Sequence, residues 1–140
     1  MDPMFRNFLA ILAGIIVGGV VNMGIVVIGP SIIPLPEGVD PTNVESLKVA
    51  MPSFSLKHYI MPFLAHALGT LAGAYTTVKI AVAHHMKLAL GIGAFYLMGG
   101  IVNAQMIQFP LWFSALDLLG AYLPMGWLAG KLDGKTWSGT

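Results

Sequence analysis

Four long stretches of the chain are apolar on every face, broken by few polar residues. They cover residues 8–28, 59–83, 88–108 and 111–130. Each approaches the ~20 residues that a helix needs to cross a bilayer core. The pattern predicts an all-α integral membrane four-helix bundle, folded as one transmembrane domain over residues 1–140. Prolines punctuate it. Gly29-Pro30 closes the first helix, Pro62 sits in the first turn of the second, and Pro110 ends the third. Pro124 lies inside the fourth, where it leaves the Gly120 carbonyl without a helical donor and predicts a kink near 120–124. The second and third connections are very short, which forces antiparallel neighbours.

The long connection, residues 30–58, differs in kind. It opens proline-rich and then reads Asp40-Pro41-Thr42-Asn43-Val44-Glu45, in which Thr42 and Glu45 fit a capping box. A short helix over 42–51 follows, with Val44, Leu47 and Met51 on one face. It is too short to span and is expected to lie at the membrane surface as a lid. An ordinary loop helix is the plainer alternative.

Composition places these helices in lipid. The chain is 56% hydrophobic and only 9% charged, against about 25% charged residues in soluble domains. A net charge of +1 gives no basis for binding nucleic acid, and the absence of cysteine removes disulfides and thiolate chemistry. Arg6, Lys79, Lys87, Lys131 and Lys135 fall on the side that holds both termini, while Lys48 and Lys57 fall in the long loop. By the positive-inside rule both termini are cytoplasmic and the loop is outside. Trp112 and Trp127 sit near opposite ends of the fourth stretch, as interfacial anchors do. Met1-Asp2-Pro3 reads as an addition before a native start at Met4. The first apolar run is too long for a signal-peptide core and reads as a retained helix.

Each stretch carries one conspicuous polar residue: Asn22, His66, Asn103 and Asp117. At a rise of ~1.5 Å per residue they lie about 7–10 Å from the outer ends of their helices, so alternating directions bring all four to one level. Asp117 is the only carboxylate inside the apolar runs. A charge at the centre of a membrane helix costs about 2.5–3.5 kcal/mol and needs a partner. Small residues share the faces of these groups. Ala10, Gly14, Gly18 and Asn22 recur every four residues, as do Ala65, Gly69, Gly73 and Thr77, with His66 and Thr70 beside them. Gly18-Gly19-Val20-Val21-Asn22 is echoed by Gly99-Gly100-Ile101-Val102-Asn103, as an old duplication would leave.

The candidate ligand-binding residues are therefore Asp117, His66, Asn22, Asn103 and Thr70. For the asparagines the plain reading is interhelical glue; for His66 it is a satisfied packing histidine. Gln105, Gln108 and Ser114 are candidates for the outer mouth. Tyr75, Phe95, Tyr96 and Tyr122 read as packing, and His84, His85 and Lys87 as a cytoplasmic turn. No catalytic motif, metal site or cofactor site is expected.

The stretches Pro62-Phe63-Leu64-Ala65-His66-Ala67-Leu68-Gly69-Thr70-Leu71-Ala72-Gly73-Ala74, Trp112-Phe113 through Asp117-Leu118, Ala121-Tyr122 and Pro124-Met125-Gly126-Trp127 resemble those of small four-helix bacterial inner-membrane proteins without an assigned activity. The resemblance implies a multi-pass location in a bacterial inner membrane and no reaction. Length and helix count are also similar to those of small multidrug transporters and fluoride channels. The first-helix glutamate of the former and the arginine- and phenylalanine-containing motifs of the latter are absent here. The expected function is binding or translocation of a proton, cation or small polar ligand at the polar cluster. A homodimer would give such a path more room. The alternative is a non-catalytic accessory or assembly subunit of a larger membrane complex.

Overall fold

A computed structural model describes residues 1–134 of the protein. Lys135, counted above in the charge asymmetry, lies outside the described residues. The described chain is all-helical: α1 (Pro3–Ile32), α2 (Val44–Ala50), α3 (Ile60–Ile80), α4 (His85–Ile107), α5 (Leu111–Gly120) and α6 (Leu123–Asp133), with two 3-10 turns, Met51–Ser53 and Leu56–Tyr59, ahead of α3.

Helix α1 outruns its predicted limits at both ends. The Asp2 carboxylate accepts from the Met4 amide at 2.7 Å and the Phe5 amide at 3.4 Å, and Pro3 occupies the first turn, where its missing N–H costs nothing. At the other end Pro30 does not stop the helix. It withdraws only the donor for the Val26 carbonyl, and the Ile33 amide still reaches the Gly29 carbonyl at 2.9 Å.

The fourth stretch departs most from expectation. It is not one kinked span but two helices of 10 and 11 residues, broken at Ala121-Tyr122, where Tyr122 adopts φ −116°, ψ −77°. Pro124 then serves as a helix start for α6 rather than a bend within a continuous helix. Among the described residues only α1 and α4 are long and apolar enough to cross a membrane. Helix α3 has the length, 21 residues, but its threonines, His66 and Lys79 dilute its hydropathy.

The cap of α2 also differs. Asn43, not Thr42, accepts from the Ser46 amide at 2.9 Å. Thr42 instead donates through its amide (2.9 Å) and hydroxyl (2.7 Å) to Asp40, which holds that carboxyl below its ordinary range.

Close backbone approach joins α1 to α3. A Cβ on Gly73 would lie 2.6 Å from the Gly14 carbonyl oxygen, and one on Gly18 would lie 2.8 Å from that of Gly69. The Thr77 hydroxyl reaches the Ala10 and Gly73 carbonyls, both at 3.1 Å, and Arg6 Nε donates to the Ile80 carbonyl at 2.9 Å. The two helices are therefore antiparallel, with their small-residue faces in contact. Helices α4 and α6 meet in the same manner, with Gly126 against the Ala89 carbonyl. One core of Ala74, Val78, Ala89, Ile92 and Ala129 fills the end near the termini. A second, of Met51, Tyr59, Ile107 and Phe113, joins the loop to α4 and α5, with Val44 and Leu47 of α2 packed on it. Large apolar side chains stay exposed along the outer sides of α1 and α4, among them Ile16, Val20, Ile28, Met98 and Val102.

Helix α4 ends at Gln108, in the left-handed region with φ 63°. An L-residue is disfavoured there by roughly 1–2 kcal/mol, part of which glycine recovers after its own entropy cost. Gln108→Gly is expected to raise stability by about 0.5–1 kcal/mol, seen as a higher melting temperature. An unchanged or lower value would contradict this account of the α4 terminus.

Candidate functional site

His66 and Asp117 come together across α3 and α5. His66 Nδ1 lies 2.8 Å from Asp117 Oδ1 and 2.9 Å from Oδ2. An ionised carboxylate only accepts, so Nδ1 carries the hydrogen and Nε2 is left with a lone pair while the ring is neutral. Asp117 is 3% exposed. The Tyr122 hydroxyl adds a longer contact to Oδ2 at 3.4 Å, and its ring stacks on the imidazole with centroids 5.7 Å apart. The break between α5 and α6 makes this possible, because it swings Tyr122 back toward the carboxylate five residues before it.

A cavity of about 420 Å³ opens beside His66, bounded by α1, α3, α4 and the α2 segment. Asn22, His66, Thr70 and Asn103 all line it. Asp117 does not. It lies behind His66 and Tyr122, which contact it and themselves line the cavity. The site therefore has two layers, an uncharged polar lining and a buried carboxylate in its rear. Thr70 donates its hydroxyl to the His66 carbonyl at 2.7 Å, which leaves only its oxygen lone pairs for a ligand. The Asn22 and Asn103 amides make no hydrogen bond among the described residues. Both are half-buried and line the cavity, Asn22 from α1 and Asn103 from α4.

The expected outer-mouth residues are not there. Gln105, Gln108 and Ser114 lie outside the cavity lining, because α4 turns its Asn103 face inward and Gln105 and Gln108 therefore point away. From the loop side the lining includes Val44 and Leu47 of α2, Phe54 and His58. Toward the termini, α1 and α3 come into close backbone contact at Gly18–Gly69 and Gly14–Gly73.

Three participants escaped the sequence. Tyr122 read as packing, and only the helix break brings its hydroxyl to Asp117. Tyr96, also read as packing, lines the cavity and donates to the Ile15 carbonyl at 2.5 Å, pinning α4 to α1. His58 lies in the loop, with no periodicity to mark it. A separate group forms at the opposite end of the fold, where the buried Asp133 carboxylate has Lys79 Nζ at 3.3 Å and His85 Nδ1 at 3.4 Å. His85 Nδ1 donates its hydrogen to the Val78 carbonyl at 3.0 Å across the α3–α4 turn, and the Lys79–Asp133 ion pair ties α3 to α6.

An imidazole backed by a carboxylate can accept a proton, or a hydrogen bond from a ligand, at Nε2 while the site remains charge-compensated. No protein family, no curated protein and no solved structure matches the chain.

Proposed function

We propose that this is a polytopic membrane protein of the bacterial inner membrane that binds, and moves, a proton, cation or small polar ligand at the His66–Asp117 site. One observation carries the reading: a buried carboxylate is hydrogen-bonded to an imidazole that lines a 420 Å³ cavity. A carboxylate that served only to fix helix register would need no cavity in front of its partner. A pocket of this size falls in the range used for small molecules, about 300–1,000 Å³, and its mostly apolar walls with a few convergent polar groups are typical of such sites. The ligand arrives from the loop side, past α2, because Val44 and Leu47 line the cavity there while α1 and α3 are in close backbone contact toward the termini.

Membrane embedding is supported by α1 and α4 and by the apolar side chains left exposed on their outer faces. The excess of basic residues near the termini supports cytoplasmic termini. Val49, 71% exposed on α2, reports on the loop. In intact cells an impermeant thiol reagent is expected to label Val49→Cys and to spare Ser138→Cys. The reverse pattern would overturn the orientation.

The binding function is tested by thermal melts of the purified protein over a pH series, with and without sodium, potassium or small organic amines. A ligand-induced rise in melting temperature that varies with pH is expected. Absence of any shift, together with stoichiometric co-purification of other membrane subunits, would transfer support to the assembly-subunit reading.

A further inference from the structure

Two histidines line the cavity, and their neighbours give them opposite hydrogen-bonding polarity. His66 spends its Nδ1 hydrogen on Asp117, so its Nε2 accepts. His58 is the converse. Its Nδ1 lies 2.8 Å from the Ser55 backbone nitrogen. A backbone N–H only donates, so Nδ1 is the acceptor and the neutral ring must carry its hydrogen on Nε2. That Nε2–H has no partner among the described residues. The ring is buried against Phe54, with centroids 5.1 Å apart, and lines the cavity beside α2.

From His58 to His66 the chain rises about 13 Å, two residues at the 3-10 rise and six at the helical one. The wall between them is apolar, with Val26, Leu47, Met61 and Ile107. No lysine, arginine, aspartate or glutamate lines the cavity. With His66 neutral, the Asp117 charge behind it therefore makes the inner end electronegative, and no lysine or arginine in the lining would offset it. The Asn22 and Asn103 amides add two carbonyl oxygens at that end, so three acceptors are offered where an ammonium group has three N–H donors.

We infer that His58 is a second ligand-binding residue, and that the cavity takes an elongate primary ammonium compound. Its cationic head is accepted by His66, Asn22 and Asn103. Its far end presents a carbonyl oxygen to the His58 Nε2–H. This rests on reading His66 and Asp117 as a ligand site.

The probes are methyl 8-aminooctanoate, which has an ammonium head and an ester carbonyl at the far end of its alkyl chain, and decylamine, which has the head alone. Titration calorimetry on the full chain in lipid nanodiscs reads both. His58→Asn retains an amide oxygen near Nδ1 for the Ser55 N–H and removes the outer donor. His58→Gln places an amide N–H near Nε2. We expect His58→Asn to weaken the amino ester about fivefold to tenfold, the scale of one hydrogen bond, with decylamine unaffected. His58→Gln should recover most of the loss. Equal weakening of both amines by His58→Asn would assign His58 to packing and overturn the inference. So would no change in either; if decylamine binding then still depended on Asp117, the His66–Asp117 site would stand without His58. Failure of both amines to bind the parent at any pH would overturn the inference and the ammonium reading of the inner end with it, while a pH-dependent response to sodium or potassium would leave the site itself intact.

Discussion

Asp117→Asn is expected to leave the protein folded, melting at or above the parent temperature, and to weaken the binding of cationic ligands. Asparagine matches the carboxylate in shape. Its oxygen can still accept from His66 Nδ1 at the position where Oδ1 lies 2.8 Å away, and its amide can donate to the Tyr122 hydroxyl oxygen. What disappears is the charge, which is costly at this burial and is retained only where it serves something. Binding of a cation in front of His66 should weaken by tenfold or more, the order of a charge-assisted interaction of ~1.5–3 kcal/mol. Melts of the parent, Asp117→Asn and His66→Gln across pH, with and without decylamine, read both effects. The opposite result is equally specific. Were Asp117 present only to neutralise a permanently charged His66, the asparagine would leave that charge buried and unpaired, at a cost of about 3–5 kcal/mol. An Asp117→Asn protein that unfolds, beside a parent whose melt no ligand shifts at any pH, would end the binding reading.

Gly14→Ala is expected to destabilise the protein severely, whereas Gly19→Ala five residues on should be neutral or stabilising. A Cβ at Gly14 would lie 2.5 Å from the Gly73 carbonyl oxygen and would collide with the Thr77 hydroxyl, while at Gly19 nothing stands within 4 Å. The obstacle at Gly14 is backbone, which cannot rotate away. Accommodating even one methyl must separate α1 from α3 and loosen the Thr77 bonds to Ala10 and Gly73. The cost is about 3 kcal/mol or more, the upper range for overpacking. At Gly19 the same methyl removes unfolded-state freedom and gains about 0.5–1 kcal/mol of helix preference. Paired thermal melts decide it. Equal effects at the two sites would mean that α1 does not pack on α3 through this face. The site depends on the same contact, since Gly69 lies against Asn22, so Gly14→Ala should also lower ligand affinity in whatever fraction remains folded.

How much of this was legible in the chain follows from the range over which each feature is determined. The helices and the glycine faces rest on local information. Apolar runs of spanning length, a four-residue recurrence of small side chains, and prolines that cost particular hydrogen bonds are all readable from neighbours in sequence. The pairing of His66 with Asp117 was legible for a further reason: a buried carboxylate requires a partner, and depth along the helices left few candidates. Locally strong signals also misled. Gly29-Pro30 looked like a terminus, yet a proline near a helix end withdraws a single bond, and packing of Gly29 on Met61 keeps the last turn in place. Thr42 lost the α2 cap to Asn43 because Asp40, two residues earlier, offered its hydroxyl and amide a better acceptor.

Composition and periodicity alone pointed to a helical chain, to small faces on α1 and α3 and to polar groups at one level; they also pointed to four spanning helices, of which only α1 and α4 among the described residues are long and apolar enough. The tertiary structure decided which of those groups line the cavity. Asp117 withdraws behind His66, and Asn22, Thr70 and Asn103 stay at the cavity wall. Tyr122 is turned onto the carboxylate by a break between α5 and α6, and His58 receives its polarity from a backbone amide in the loop. None of these is set by spacing along the chain. Each depends on the direction in which a side chain leaves its helix once the glycine contacts have fixed how closely, and at what rotation, the helices lie together.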